Sequence, residues 1–477
     1  IWSAAVDYGN LEFRQPNSWG QFYIAIVEAG PTWLLMQFGL HAGDALMIVL
    51  TALALLGWFA FAVVAAHRRE WGLSLLAFAI PLSFGLQYAA FAQTYGAQAG
   101  RAVAMIAVAI LLWRRAVTPV RAGVFAFLAG ICMTWLDPST GLLLVPATAW
   151  VVLRRDCRRR WTALVIGAIP AAVIAVGIQM FNRAHPEYQV HPRPSAIPSP
   201  HLLVDNLRAL PDDLSLYHPA NALTTMLVLV GMVCIAVVVL RSRELAIIGS
   251  SVVFVGLFVA AFSTGSIQDG YGEPFFPWGR TLMCVPPAIW FLAFTAMTTD
   301  RRSYSVRLRH QAITIALGVL VIVTASFTNL PRFTTTTDAL AAQGLAQHFV
   351  TRIPVESVDQ QCRTIATAAS THDAPIVAMY GDPIQVLAYA CNVLSPGLTT
   401  IYPPYERRVW LLQALARDQN SRFLLMGVPT NPCDAFPQAT CEPIEGLGAT
   451  WLVVSPLAVP QTLAKLGLAV QPYEADR

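Results

Sequence analysis

The sequence predicts a polytopic α-helical membrane protein with a C-terminal extracytoplasmic α/β domain. Three observations predict it. Of 477 residues, 56% are hydrophobic and only 12% charged, against roughly 25% charged in a typical soluble domain. Apolar runs recur from residue 44 to residue 327, at or near the ~20 residues that cross a bilayer. Arginine is concentrated in alternate turns between those runs. A mean hydropathy of +0.55 agrees. This composition excludes a soluble enzyme, a disordered chain and a coiled coil. The net charge of +4 excludes nothing by itself. Of 31 basic residues only Lys465 is lysine, which points to a GC-rich, bacterial genome.

Ten spans are expected near 44–66, 72–93, 101–113, 122–136, 139–153, 162–180, 223–240, 245–262, 281–297 and 311–327. Asp137 and Pro138 separate the fourth from the fifth, and one long kinked helix is the alternative there. Lys and Arg favour short cytoplasmic loops. With the turn at 67–71 inside, the inner loops are 67–71, 114–121, 154–161, 241–244 and 298–310, and they hold sixteen basic residues. The outer side up to residue 280 holds six: Arg14, Arg101, Arg183, Arg193, Arg208 and Arg280. Residues 1–43, the loops 181–222 and 263–280, and the tail 328–477 are then outside the cytoplasm. Ile1 starts on the outer side without an initiator Met, so one further span is expected before it, eleven in the intact protein.

The outer segment 1–43 contains an apolar stretch, QFYIAIVEAGPTWLLMQFGL (21–40), interrupted by Glu28, Gly30 and Pro31. It reads as one or two amphipathic helices on the membrane surface, with an extra span as the alternative. The loop 181–222 is rich in Pro and His and reads as irregular or extended. From residue 328 the apolar runs shorten. APIVAMYG (374–381), RFLLMG (422–427) and TWLVVSP (450–456) read as strands, and DPIQVLAYAC (382–391) and VPQTLAKLGL (459–468) as helices. Alternating strands and helices predict a small α/β domain. It lacks a GxGxxG after a strand, so it is not read as nucleotide-binding.

Four of eight cysteines fall in this tail, as expected of disulfides in an oxidising compartment. NPCDAFPQATC closes a short loop, so Cys433 is expected to pair with Cys441, and Cys362 with Cys391 by elimination. A zinc site is the alternative, but no CxxC or suitably spaced histidine accompanies them. The histidines at 185, 191, 201 and 218 fit no metal spacing either, and no metal is assigned.

Ionisable groups near membrane depth are costly and therefore functional candidates. They cluster on the outer side. Arg101 and Arg280 each stand at the outer start of a span, where the helix dipole is already positive. An anion explains that placement, since a helix N-terminus plus a guanidinium binds phosphate well. The alternatives are a carboxylate partner or snorkelling to headgroups. Asp7, in VDYGNLEFRQ, is the candidate catalytic base, with Glu12 a close rival; a helix cap is the alternative for Asp7. Asp137, in TWLDPSTG, is a candidate substrate contact or the N-cap of the next span. Asp269 and Glu273, in SIQDGYGEPFFPWGR, bind a polar ligand or a divalent cation, or merely solvate the loop. No cofactor beyond that cation is considered.

An outer carboxylate after a first span, surface helices before the second, many spans and an outer α/β tail resemble the GT-C glycosyltransferases. The resemblance covers residues 1–330 as topology, and the tail in placement. The Asp-Glu or Asp-Asp pair common in that family is absent, since Tyr8 follows Asp7. The resemblance implies a bacterial inner-membrane enzyme that transfers a sugar on the outer face, from a polyprenyl-phosphate donor to a glycan, lipid or protein acceptor. It implies Asp7 as base, inversion at the anomeric carbon, and Arg280 on the phosphate. Membrane lipids are the other expected partners; nucleic acid is not one. The rivals are an O-antigen polymerase or ligase, a transporter or flippase, and a non-catalytic scaffold.

Overall fold

The computed structural model describes residues 2–12, 16, 25, 27–83, 98–154, 158–188, 197–217, 244–264, 275–299, 304–328, 355–381, 384–395, 397–406, 408–417, 421–468 and 470. The chain is mostly helical, with a small C-terminal sheet.

Two short helices come first, α1 (Trp2–Gly9) and α2 (Ala29–Gln37). With nine residues, α2 is about 14 Å long. That is half the thickness of a bilayer core, so α2 does not cross. It ends in a turn around Gly39, at φ +87, where the N–H of Leu40 donates to Leu35 O and that of Gly39 to Met36 O. This is the Schellman arrangement, in which glycine takes the left-handed position.

The apolar helices follow: α3 (Ala42–His67), α4 (Trp71–Ser83), α5 (Gln98–Leu112), α6 (Pro119–Ile131), α7 (Gly141–Val152) and α8 (Arg158–Ala184). After α9 (Pro200–Tyr217) come α10 (Leu245–Phe262), α11 (Phe275–Thr299) and α12 (Tyr304–Thr328). Among the described residues four helical stretches are long and apolar enough to cross a membrane: Ala42–His67, Pro119–Leu136, Arg160–Ala184 and Leu245–Phe262. Five shorter apolar stretches, Trp71–Pro81, Gln98–Leu112, Pro138–Val152, Met283–Thr298 and Gln311–Val323, fall where five further spans were expected. The expected span 223–240 and the second half of 72–93 lie outside the described residues.

Side-chain contacts show which helix ends lie together. The His67 ring stacks on Trp113 at 4.4 Å. Arg68 donates to Leu112 O at 3.3 Å, Arg154 to Arg115 O at 3.4 Å, and Gln311 to Arg69 O at 2.8 Å. Leu153 lies against Gly249. The arginine-bearing turns are therefore gathered at one end of the bundle. Because α6 begins and α7 ends there, residues 119–152 form a hairpin rather than one kinked helix. The break is at Asp137, whose φ of −163 and ψ of 105 are extended.

Close packing within the bundle depends on small residues. A Cβ on Gly167 of α8 would stand 2.1 Å from Gly123 O of α6, and one on Gly130 would stand 2.5 Å from Ala171 Cβ. Small residues let helix backbones approach where lipid removes the hydrophobic drive between helices.

The loop 181–222 differs from expectation. It contains α9, an 18-residue helix, which lies across the end of α10: Asn206 donates to Phe262 O at 2.8 Å and Ser199 N to Ser263 O at 2.6 Å. The Pro-rich stretch stops at Pro200, where proline suits a first helical turn. The amphipathic run LLVDNLRAL behind it carries the helix.

The C-terminal domain comprises α13 (Val355–Thr371), β1 (Ile376–Met379), α14 (Ile384–Leu394), β2 (Thr399–Ile401), α15 (Val409–Leu415), β3 (Arg422–Met426), β4 (Thr440–Pro443), β5 (Thr450–Val454) and α16 (Val459–Lys465). The strand order is β2-β1-β3-β5-β4. β1 is parallel to β2 and β3, while β5 is antiparallel to β3 and β4. Alternate residues of β1 feed two cores. Val377 and Met379 pack with α13 and α14, and Ala378 packs with α15 and α16. The three expected strands and two expected helices are all present.

Both expected disulfides are formed. Cys362–Cys391 ties α13 to α14, and Cys433–Cys441 closes the loop before β4. Replacing Cys362 and Cys391 with alanine is expected to destabilise this domain by about 3 kcal/mol. The readout is a lower temperature for loss of the protease-resistant fragment 355–470.

Candidate functional site

The end of the bundle opposite the arginine-bearing turns holds a buried ionic cluster. It is built from the start of α5, the break after α6, and the segment before α2. Glu28 is 0%, Asp137 1% and Arg101 7% exposed. Enclosed charges are tolerated only where other groups compensate them. Each member makes at least one hydrogen bond.

Glu28 immediately precedes α2 but makes no side-chain cap to it. Its Oε1 instead accepts the N–H of Ala99 at 3.0 Å. That donor is in the first turn of α5, where backbone N–H groups lack helical partners and the dipole favours a carboxylate. Arg101 lies in the same turn, and its Nη1 donates to the sulfur of Met283 on α11. The residue before Arg101, Gly100, abuts Asp137.

Asp137 is reached through a π-turn, Cys132–Leu136. Its Oδ1 accepts from Ser139 N at 3.0 Å and Ser139 Oγ at 2.7 Å. It therefore caps the following turn, which realises the N-cap reading. Its Oδ2 has no partner among the described residues. α5 approaches this point closely because residue 100 is glycine. A Cβ there would stand 2.8 Å from Asp137 Cβ and 3.2 Å from Asp137 N. Gly100→Ala, a change that otherwise favours a helix, is expected to destabilise the chain by about 1–2 kcal/mol through overpacking, seen as a lower Tm of the purified protein.

Pro16 and Ala25 of the N-terminal segment both bond to Trp135, two residues before Asp137. Trp135 donates to Pro16 O at 2.8 Å, and Ala25 N donates to Trp135 O at 3.1 Å. From α11, the thiol of Cys284 is 3.6 Å from Ser139 Oγ. Arg280 belongs to α11, about one turn before Met283 and Cys284; its side chain is outside the described set. Asp269 and Glu273 lie outside the described residues.

Asp7 lies in α1, which packs against α2. It is half-buried in α1, the helix whose Ala4 and Ala5 pack against Trp410 of the C-terminal domain. Its backbone O accepts from Glu12 N at 2.8 Å. Glu12 is exposed beyond the end of α1, next to Leu11 at φ +60. Tyr188, beyond the end of α8, meets Trp410 of the C-terminal domain edge-on at 5.9 Å. The domain thus sits at the same end as Glu28, Arg101 and Asp137.

Two of the sequence-predicted residues, Arg101 and Asp137, are brought together. Glu28 was missed as a site residue. Its signal was present: a lone carboxylate inside an apolar stretch. Among the described residues no three His, Cys, Asp or Glu side chains gather as a metal site. Comparison of the chain with family models, curated proteins and solved structures found no match.

Proposed function

We propose that this chain is a GT-C-type membrane glycosyltransferase, which transfers a sugar from a polyprenyl-phosphate donor to a cell-envelope acceptor. The observation that carries the reading is positional. Buried Glu28, Arg101 and Asp137, the Asp7 helix and the disulfide-bearing domain share one end of an apolar bundle, opposite the arginine-bearing turns. With the arginine turns in the cytoplasm, that end faces the oxidising side, where disulfides persist. In this reading the helices cross the membrane ten times between residues 44 and 327.

The donor's isoprenoid tail lies among the apolar helices. Arg280 and Arg101 meet its phosphate at the outer starts of α11 and α5. Asp7 takes the proton of the acceptor hydroxyl as that oxygen bonds to the anomeric carbon. The bond from this carbon to the phosphate oxygen breaks, and the electron pair leaves on the phosphate. Arginine stabilises that developing charge. One displacement with one base gives inversion.

Glu28 and Asp137 belong to the same machinery. Glu28 anchors the first turn of α5, which carries Arg101. Asp137 supplies a second carboxylate beside that guanidinium. The test is an assay of the purified protein with radiolabelled polyprenyl-phosphate sugars. Transfer to an acceptor is expected. Uptake of the labelled lipid into vesicles without transfer rejects the enzyme in favour of a transporter.

A further inference from the structure

The C-terminal domain meets the rest of the chain at a joint that lies next in sequence to one buried ion pair. On the bundle side the joint consists of α1, which packs against α14, and of Tyr188. Trp410 enters a small apolar cluster with Ala4, Ala5, Ala29 and Trp33. Two residues before Trp410 is Arg408. Its Nε donates to Glu406 Oε1 at 2.7 Å and its Nη2 to Oε2 at 2.8 Å, so the pair is bidentate. Nη2 also donates to Thr400 O at 2.6 Å, and the guanidinium lies over the Tyr389 ring of α14 at 5.0 Å. The two side chains are 3% and 0% exposed. Glu406 accepts two backbone N–H groups besides, from Tyr402 and Arg408, both at 3.0 Å.

A pair so completely enclosed contributes little net stability, because both charges have lost their water. Apolar side chains of the same size would fill the space as well. What they would not supply is a guanidinium fixed over Tyr389 of α14, the helix that packs against α1. Arg408 is held by three partners, Glu406, Thr400 and Tyr389. Glu406 contributes most to favouring the charged Arg408, and Asp7 on α1 least; the contact with α1 itself is made by Trp410 against Ala4 and Ala5.

We propose that Arg408 is a positioning residue for Asp7: the Glu406–Arg408 pair and Trp410 fix the C-terminal domain against α1 and hold the Asp7 carboxylate in one place. This rests on the reading that Asp7 accepts the acceptor's proton. It assigns the C-terminal domain a part in aligning the base as well as in meeting the acceptor.

The test uses the full chain and the double variant E406Q/R408M, which removes both charges together and so leaves neither buried alone. Two quantities are read: amide hydrogen exchange of residues 2–12, and the kcat and KM for the polyprenyl-phosphate sugar. Exchange at least tenfold faster, with kcat down at least tenfold and KM unchanged, is the expected result. Unchanged exchange overturns the joint whatever the activity does. Faster exchange with unchanged kcat overturns Arg408 as a positioning residue. If the double variant loses its protease-resistant domain, Trp410→Ala, which leaves the pair intact, is read on the same scales, and unchanged exchange or unchanged kcat again overturns the proposal. If the wild-type chain transfers no sugar, the glycosyltransferase reading fails, while the exchange measurement still decides the joint.

Discussion

Asp7→Asn is expected to abolish sugar transfer while leaving the fold intact. Asparagine keeps the size of the side chain and loses the proton acceptor. A positioned general base contributes on the order of 10²–10⁴ in rate, so turnover should fall at least a hundredfold in the radiolabel assay. Arg408 keeps its bidentate partner Glu406 in this variant, so the C-terminal domain should melt as before. Glu12→Gln is the control. Glu12 is exposed past the end of α1, without the enclosure that tunes a base, and turnover should change less than about twofold, well below what a general base contributes. The opposite pair of results, with Asp7→Asn active and Glu12→Gln dead, would transfer the role to Glu12.

Arg101→Met is expected to lower transfer about 10²–10³-fold, the usual size of a lost electrostatic stabiliser. It should also destabilise the protein. Glu28 and Asp137 remain buried, and breaking a buried charge arrangement by removing one partner costs about 3–5 kcal/mol. These two effects can be separated. Arg101→Met/Asp137→Asn removes the opposing carboxylate as well, and should recover much of the thermal stability without recovering transfer. Tm and turnover of the two variants, measured side by side, check this. Recovery of both would reduce Arg101 to a structural counter-ion of Asp137.

Much of this architecture was legible before any coordinates. Runs of apolar residues mark helices because the pattern is local and repeated over many residues. Arginine placement predicted which turns share an end, and the contacts of Arg68, Arg154 and Gln311 put those turns together. The disulfides were readable because four cysteines in one domain leave few pairings. Weaker local signals were lost. β2 has three residues and β4 four, too few to display a period. α13 is polar enough to pass for loop, and α9 was hidden behind a proline-rich stretch.

The candidate site divides along the same line. Residue types alone determine that this chain is largely apolar helix, that most of its acidic groups fall in residues 1–43, 181–222, 263–280 and 328–477, and that Asp7, Arg101 and Asp137 deserve testing. They do so because transfer from water and helix dipoles act on each residue where it stands. The company each residue keeps is another matter. Glu28 reaches the start of α5 across 71 positions of sequence, and Trp410 packs on Ala4 and Ala5 from the other end of the chain. Such pairings depend on how helices pack, on Gly100 letting α5 approach Asp137, and on Trp410 seating against α1. No local pattern encodes distances of that kind; they exist only once the chain has closed on itself.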